Sequence, residues 1–291
     1  MTDALEVIGL RKTFAVRGER ASRGAGSGLL GRRGAGESRD VVAVDDVSFR
    51  VAPGQSLAIV GESGSGKTTV ARMIVGLERP SAGQIIVGGR ARTGRVGSRE
   101  RRRRAREVQI VFQDPYSSLD PRQSIRDCLD EVLRLHFDLD AAQRSARVEQ
   151  LLDQVGLAAR HADALPRALS GGQRQRVAIA RALACEPRVL ICDEAVASLD
   201  VSIQAQVLNL LSDIREQTGV SYLFISHDLA VVRQVSDDVI VMRHGRVVEA
   251  GATESVLASP TAAYTARLIA AIPREGWRPT SSRDNQADEL S

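Results

Sequence analysis

Ser56-Leu57-Ala58-Ile59-Val60 runs directly into Gly61-Glu62-Ser63-Gly64-Ser65-Gly66-Lys67-Thr68-Thr69. The first five residues are apolar and partly β-branched, which predicts a strand buried on both faces of a parallel sheet. The next nine satisfy G-x-x-x-x-G-K-[ST], and Thr68–Leu77 continues as a helix. Glycines let the backbone wrap a phosphate with its N–H groups turned inward, and the helix N-terminus adds a favourable dipole. Lys67 then reaches the β- and γ-phosphates, and the Thr68 hydroxyl is suited to Mg²⁺. The competing reading is a glycine-rich βα turn carrying an ordinary lysine. Against it, of 40 Lys and Arg side chains only Lys12 and Lys67 are lysines, so a point-charge donor is kept here.

Working outward, Val189-Leu190-Ile191-Cys192 is a second buried strand, and it delivers Asp193 and Glu194 to its C-terminal end. Asp193 suits Mg²⁺, directly or through water, and Glu194 suits an attacking water that must be positioned and deprotonated. Leu5–Val16, Val41–Val51, Gln84–Val87 and Tyr222–Ile225 read as further strands. Residues 122–160 keep helical spacing through Ile125, Leu129, Val132, Leu133, Val148, Leu151, Leu152 and Val155, and form a helical insertion. Strands alternating with helices predict a doubly wound α/β sheet with its ligand beyond the strand C-termini.

Residues 17–40 are rich in Gly, Arg and Ser and read as a flexible surface loop. Within it Leu29-Leu30, flanked by Arg32 and Arg33, is either solvated or touches anionic lipid or a partner. The Arg-dense run Ser98–Arg106 reads as a solvated face of a helix or loop. The 291 residues carry a net charge of +4 and are 43% apolar, which excludes wholesale disorder and implies no nucleic-acid field. No run approaches the ~18–20 apolar residues of a membrane span, and the N-terminus lacks signal-peptide features. Cys128, Cys185 and Cys192 fit no paired metal spacing and read as buried reduced thiols.

Leu169-Ser170-Gly171-Gly172-Gln173-Arg174-Gln175-Arg176 resembles the LSGGQ signature of ATP-binding-cassette (ABC) ATPases. An N-capping Ser after a turn explains a helix start but not the whole octet. The resemblance, over roughly residues 5–275, implies a P-loop NTPase cassette: a RecA-like parallel-sheet core, an antiparallel β lobe and a helical subdomain at about 115–180. Residues 276–291 are expected to be a disordered polar tail. In this family the signature binds the γ-phosphate of ATP held by another subunit, so Ser170, Gly171, Gly172 and Gln173 are expected to serve a partner's nucleotide. Phe14 matches the aromatic position that stacks on adenine, although a lone Phe in a strand could equally be core. Gln113 matches the Q-loop glutamine that contacts Mg²⁺ and water. Ala197-Ser198-Leu199-Asp200 resembles the D-loop with Ala and Ser exchanged, and His227 matches the switch histidine on the γ-phosphate.

Phe112-Gln113-Asp114-Pro115-Tyr116-Ser117-Ser118-Leu119-Asp120-Pro121-Arg122 is similar to a stretch of oligopeptide/dipeptide-type importers, as is Ser259–Leu268 near the C-terminus. The resemblance implies an ATP- and Mg²⁺-dependent importer ATPase for peptides or a related solute such as nickel chelate or glutathione. It further implies a second ABC ATPase subunit, identical or paralogous, two integral-membrane permeases and, indirectly, an extracytoplasmic solute-binding protein, with no nucleic acid. The expected location is peripheral, on the cytoplasmic face of the membrane. The alternative is a soluble accessory ATPase of the carbon–phosphorus lyase type. Coiled-coil DNA-repair ATPases are a further class that shares the signature, and it is disfavoured because Ser170 lies only 103 positions after Lys67 and no sustained heptads or zinc cysteines occur. No cysteine follows Cys192, so the cysteine-containing tail of some relatives, an iron–sulfur site in places, is not expected.

Overall fold

The computed structural model describes residues 2–16, 39–92, 94, 96–114 and 118–271. Its antiparallel sheet has the order β2-β1-β4-β5, built from β1 (Leu5–Val16), β2 (Arg39–Val51), β4 (Ala82–Val87) and β5 (Arg90–Ala91). A second sheet contains β3 (Ser56–Val60), β6 (Val108–Val111), β7 (Val189–Asp193), β8 (Ser221–Ser226), β9 (Asp238–Arg243) and β10 (Arg246–Ala252). Its order is β10-β9-β3-β8-β7-β6, parallel throughout except for the β10 edge.

Helix α1 (Lys67–Val75) lies between the sheets. Its Val70, Ala71, Met73 and Ile74 join Leu5 and Val47 of the antiparallel sheet and Ile191 and Leu223 of the parallel one in a single apolar cluster. The opposite face of the parallel sheet carries the remaining core. There α3 (Ile125–His136), α4 (Ala141–Gln154), α5 (Gly171–Leu183), α6 (Val201–Thr218) and α7 (Leu229–Val235) pack together. Alternation decides which residue goes where: Leu57 and Ile59 of β3 point to α1, and Ala58 and Val60 point to the helical side. All five residues of β3 are buried, as a strand covered on both faces requires.

Side chains start the helices where the backbone N–H groups lack partners. Ser124 caps α3, and Asp140 with Gln143 forms a capping box on α4. The arginine run is a helix, α2 (Ser98–Glu107), in which Arg103 pairs with Glu100 and Glu107 and Arg104 with Glu100. Two short helices, α8 (Thr253–Ala258) and α9 (Ala263–Ala270), close the described chain.

The strand starting at Val41 begins earlier, at Arg39, so the last two residues assigned to the 17–40 loop belong to β2. Residues 17–38, including Leu29–Arg33, lie outside the described residues, as do Pro115–Ser117 and 272–291 with the polar tail. Strands β5, β6, β9 and β10 are not among the predicted ones. All three cysteines are free and buried, and burial pushes the Cys185 thiol up to about 11. Among the described residues, no helix is long and apolar enough to cross a membrane.

Candidate functional site

The loop Gly61–Gly66 joins the C-terminal end of β3 to α1, and its glycines are required by space as well as by dihedral angle. Gly61 has φ +148°, and a Cβ there would lie 2.2 Å from the Met242 carbonyl oxygen. Gly66 has φ +103°, and its Cβ would meet the Ala43 carbonyl oxygen at 2.4 Å. The loop is thus pressed against β9 and β2, which neither motif nor spacing foretold. Glu62, Ser63 and Gly64 form its exposed crest, whereas Ser65 turns inward and its N–H donates to the Glu62 carbonyl at 3.2 Å.

Lys67 is 6% exposed, and its Nζ donates to the carbonyls of Gly61 at 2.7 Å and Glu62 at 2.8 Å. Burial pushes its ammonium below the ordinary lysine value, against the charges of Glu194, Asp193 and Glu62, which favour the cation. Thr68 donates its hydroxyl to Asp193 Oδ1 at 3.3 Å, and Thr69 is half-buried one position on. The Asp193 carboxyl is raised by burial, lowered by the Thr68 hydrogen bond and raised by Glu194; Arg72 and Lys67 lower it further. Arg72 is one site neighbour that sequence reading missed. It lies one helical turn after Thr68, and that spacing was the available signal.

Glu194 follows β7 in a left-handed conformation, φ +51°, which is uncommon for a residue with a Cβ. Its N–H donates to the Ile225 carbonyl at 2.9 Å, and its Oε1 lies 3.1 Å from His227 Nδ1. A cavity of about 80 Å³ opens beside the pair, lined also by Ala197, Gln204 and Ser226. Gln113 is exposed beyond β6, and its carbonyl accepts from the Ser198 hydroxyl at 3.2 Å, joining the Q-loop and D-loop positions. Asp200 caps α6, and hydrogen bonds from the Ile203 N–H and Ser202 hydroxyl hold its carboxyl below the usual range.

The octet at 169–176 begins α5 in the helical lobe. Ser170 accepts from the Gln173 N–H at 3.2 Å, and Gln173 Oε1 accepts from the Ser170 N–H at 2.9 Å. Gly171 packs beside Leu199, and Gly172 is held closer still to α6: a Cβ there would meet Ile203 Cγ2 at 2.5 Å. Phe14 lies on β1 and is 37% exposed, with Lys12 Nζ 4.7 Å from its ring centroid. Lys12 in turn pairs with Glu78 at 2.8 Å, past the far end of α1.

These parts assemble one chemical device. The turn at the C-terminal end of β3 and the Lys67 ammonium make a place suited to an anion, and hard oxygen donors from Thr68 and Asp193 sit beside it. Such oxygens fit Mg²⁺, which is usually held by one or two protein groups together with phosphate.

A sequence profile of the family described as ABC transporter matches residues 44–197. The glutathione import ATP-binding protein GsiA of Escherichia coli strain K12 is 48% identical over 247 residues, 85% of this chain and 39% of GsiA. GsiA of Shigella sonnei strain Ss046 gives the same values, 48% over 247 residues, with 85% and 39% covered. The chain thus spans about two fifths of the length of the curated relatives it matches. Among solved structures, cbiO1 from Clostridium perfringens, described as part of the ABC transporter complex cbiONQ, matches with a TM-score of 0.72 at 27% identity. The match covers 89% of this chain and 92% of cbiO1. A dimeric post-hydrolysis structure of the ATP-binding cassette MJ0796, bound to ADP and Pi, matches with a TM-score of 0.70 at 26% identity, covering 86% of this chain and 98% of MJ0796.

Proposed function

This chain belongs to the ABC transporter family, and on that premise we propose that it is the ATP-hydrolysing subunit of an importer for peptides or a related small solute such as glutathione. The observation that carries this reading is the convergence of Lys67, Thr68, Asp193, Glu194 and His227 at the C-terminal ends of neighbouring strands. The name of GsiA supplies the solute class, and the length difference leaves room for further domains in that relative.

In this reading the loop N–H groups and Lys67 bind the triphosphate, with Phe14 against the base. Thr68, Asp193 and Gln113 hold Mg²⁺, which supplies charge neutralisation at the phosphoryl oxygens. Glu194 takes the proton of the attacking water, and His227 orients Glu194 and meets the γ-phosphate. Ser170–Gln173 serves the nucleotide of a second ABC subunit, so ATP would be sandwiched at a dimer interface, and Asp200 lies at that interface. ATP then favours the closed pair through contacts that the open pair lacks, as any ligand-driven shift requires. Gln113 and the helical lobe pass closure to membrane permeases on the cytoplasmic face.

Detergent-solubilised co-purification from the native cell tests this. Two integral-membrane permeases together with an ABC ATPase partner are expected. A soluble enzyme assembly in their place would overturn the importer reading.

A further inference from the structure

The segment Ser259–Leu268 has no role in the chemistry just described, yet it reaches the phosphate loop. Glu249 of β10 fastens its start. Its Oε1 accepts from the N–H and hydroxyl of Thr261 at 2.7 and 2.8 Å, and its Oε2 accepts from the Ala262 N–H at 3.1 Å. Helix α9 follows directly and turns Tyr264 inward. That side chain is 7% exposed, with the Arg243 guanidinium 5.0 Å from its ring centroid. Its hydroxyl accepts a hydrogen bond from the backbone N–H of Glu62 at 3.2 Å, across 202 residues of chain.

Glu62 is therefore gripped on both of its backbone groups. Its N–H is held by Tyr264, and its carbonyl accepts from Lys67 Nζ at 2.8 Å. The residue stands on the exposed crest of the loop, immediately after Gly61 with its positive φ. An exposed turn of this kind has many backbone conformations open to it, and ordering each residue costs conformational entropy. A buried acceptor at Glu62 selects one of them in advance.

We propose that Tyr264 is a positioning residue for the phosphate loop. Its hydroxyl fixes the Glu62 peptide, and through that peptide the seat of Lys67, so that the C-terminal segment sets the affinity for triphosphate. The inference rests on reading residues 61–69 as the ATP site. It differs from a packing role for the ring, because the effect is assigned to one oxygen atom. Glu249 acts at one remove, by holding the helix that presents that oxygen.

The test uses the full chain and titration calorimetry with two probes, MgATP and Mg-tripolyphosphate. Tyr264→Phe keeps the ring and its contact with Arg243 and deletes only the hydroxyl. It is expected to weaken both ligands by the same factor, about 3–10-fold for one hydrogen bond, with the melting temperature lowered by no more than the ~2–4 °C that one hydrogen bond accounts for. Glu249→Gln, which loosens the helix, is expected to weaken both ligands in the same ratio. Unchanged affinity for both probes in Tyr264→Phe overturns the proposal, as does a loss confined to MgATP. A loss accompanied by a fall in melting temperature well beyond that, the mark of lost packing, overturns it too. Lys67→Ala separates the two levels of the argument: wild-type tripolyphosphate affinity in that variant removes the ATP-site reading itself. Loss in Lys67→Ala with none in Tyr264→Phe removes Tyr264 alone.

Discussion

His227 Nδ1 lies 3.1 Å from Glu194 Oε1, although the two residues are 33 positions apart. Adjacent strands bring them together. β7 and β8 run parallel with Asp193 opposite Ile225, so the residues that follow each strand land side by side. Glu194→Gln keeps the size of the side chain and removes its basicity. ATP binding should persist while phosphate release falls about 10²–10⁴-fold, the usual contribution of a general base. With the partner subunit present, gel filtration should show an ATP-dependent dimer; normal turnover would remove Glu194 from the mechanism.

Lys67→Ala deletes the ammonium that spans Gly61 and Glu62. Loss of charge-assisted hydrogen bonds of this kind should weaken MgATP by about 10²-fold. Calorimetry reads the change, and retained wild-type affinity would contradict the phosphate-loop assignment.

Gly61 and Gly64 offer a paired test of space against dihedral strain. Both have positive φ, but a Cβ at Gly64 meets nothing within 4 Å, whereas one at Gly61 meets Met242 O at 2.2 Å. Gly64→Ala should cost about 1 kcal/mol of stability, from backbone strain alone. Gly61→Ala should cost about 3 kcal/mol or more, because the strand end must also shift. Urea midpoints of the two variants decide the order.

Glu249 gives the acid dependence of the C-terminal helix. Burial alone would raise its carboxyl, but hydrogen bonds from Thr261 and Ala262 outweigh it and hold it at about 2, below the ordinary 4.5. A depressed folded-state value means stability that is fully present above about pH 4.5 and lost as pH falls towards 2. Wild-type stability should drop through that window about one proton more steeply than that of Glu249→Gln. Equal slopes in acid-unfolding curves would show that the carboxylate gains nothing from its capping bonds.

Contiguity decides what a sequence discloses. Val60–Thr69 carries a strand end, a turn and a helix start in ten adjacent residues, and Ser170–Gln173 likewise carries its whole capping box in four. β6 escaped because Val108–Val111 is four residues long and follows directly on the arginines of α2. The β9–β10 hairpin did leave a local sign: His244 and Gly245, with φ +48° and +80°, are the two left-handed positions of a tight hairpin turn. No local sign could place Tyr264 on Glu62, since that contact exists only once β10 and α9 have folded back across the sheet. Glu194 was legible as an acid at a strand end, but its left-handed backbone, which follows from the turn after β7, was not.

The stretch that identifies the family is not a stretch that could be cut out and kept. It ends at residue 197, whereas both neighbours of β3 in the sheet, β8 and β9, come after it. Excised at those limits, the strand that leads into Gly61–Gly66 would present two open edges, and open edges are templates for aggregation. Gly61 would also lose the wall formed by Met242, and Glu62 its hold on Tyr264. A fragment that keeps both neighbours of β3 must therefore extend through β9, and one that also keeps the Tyr264 contact must extend through α9.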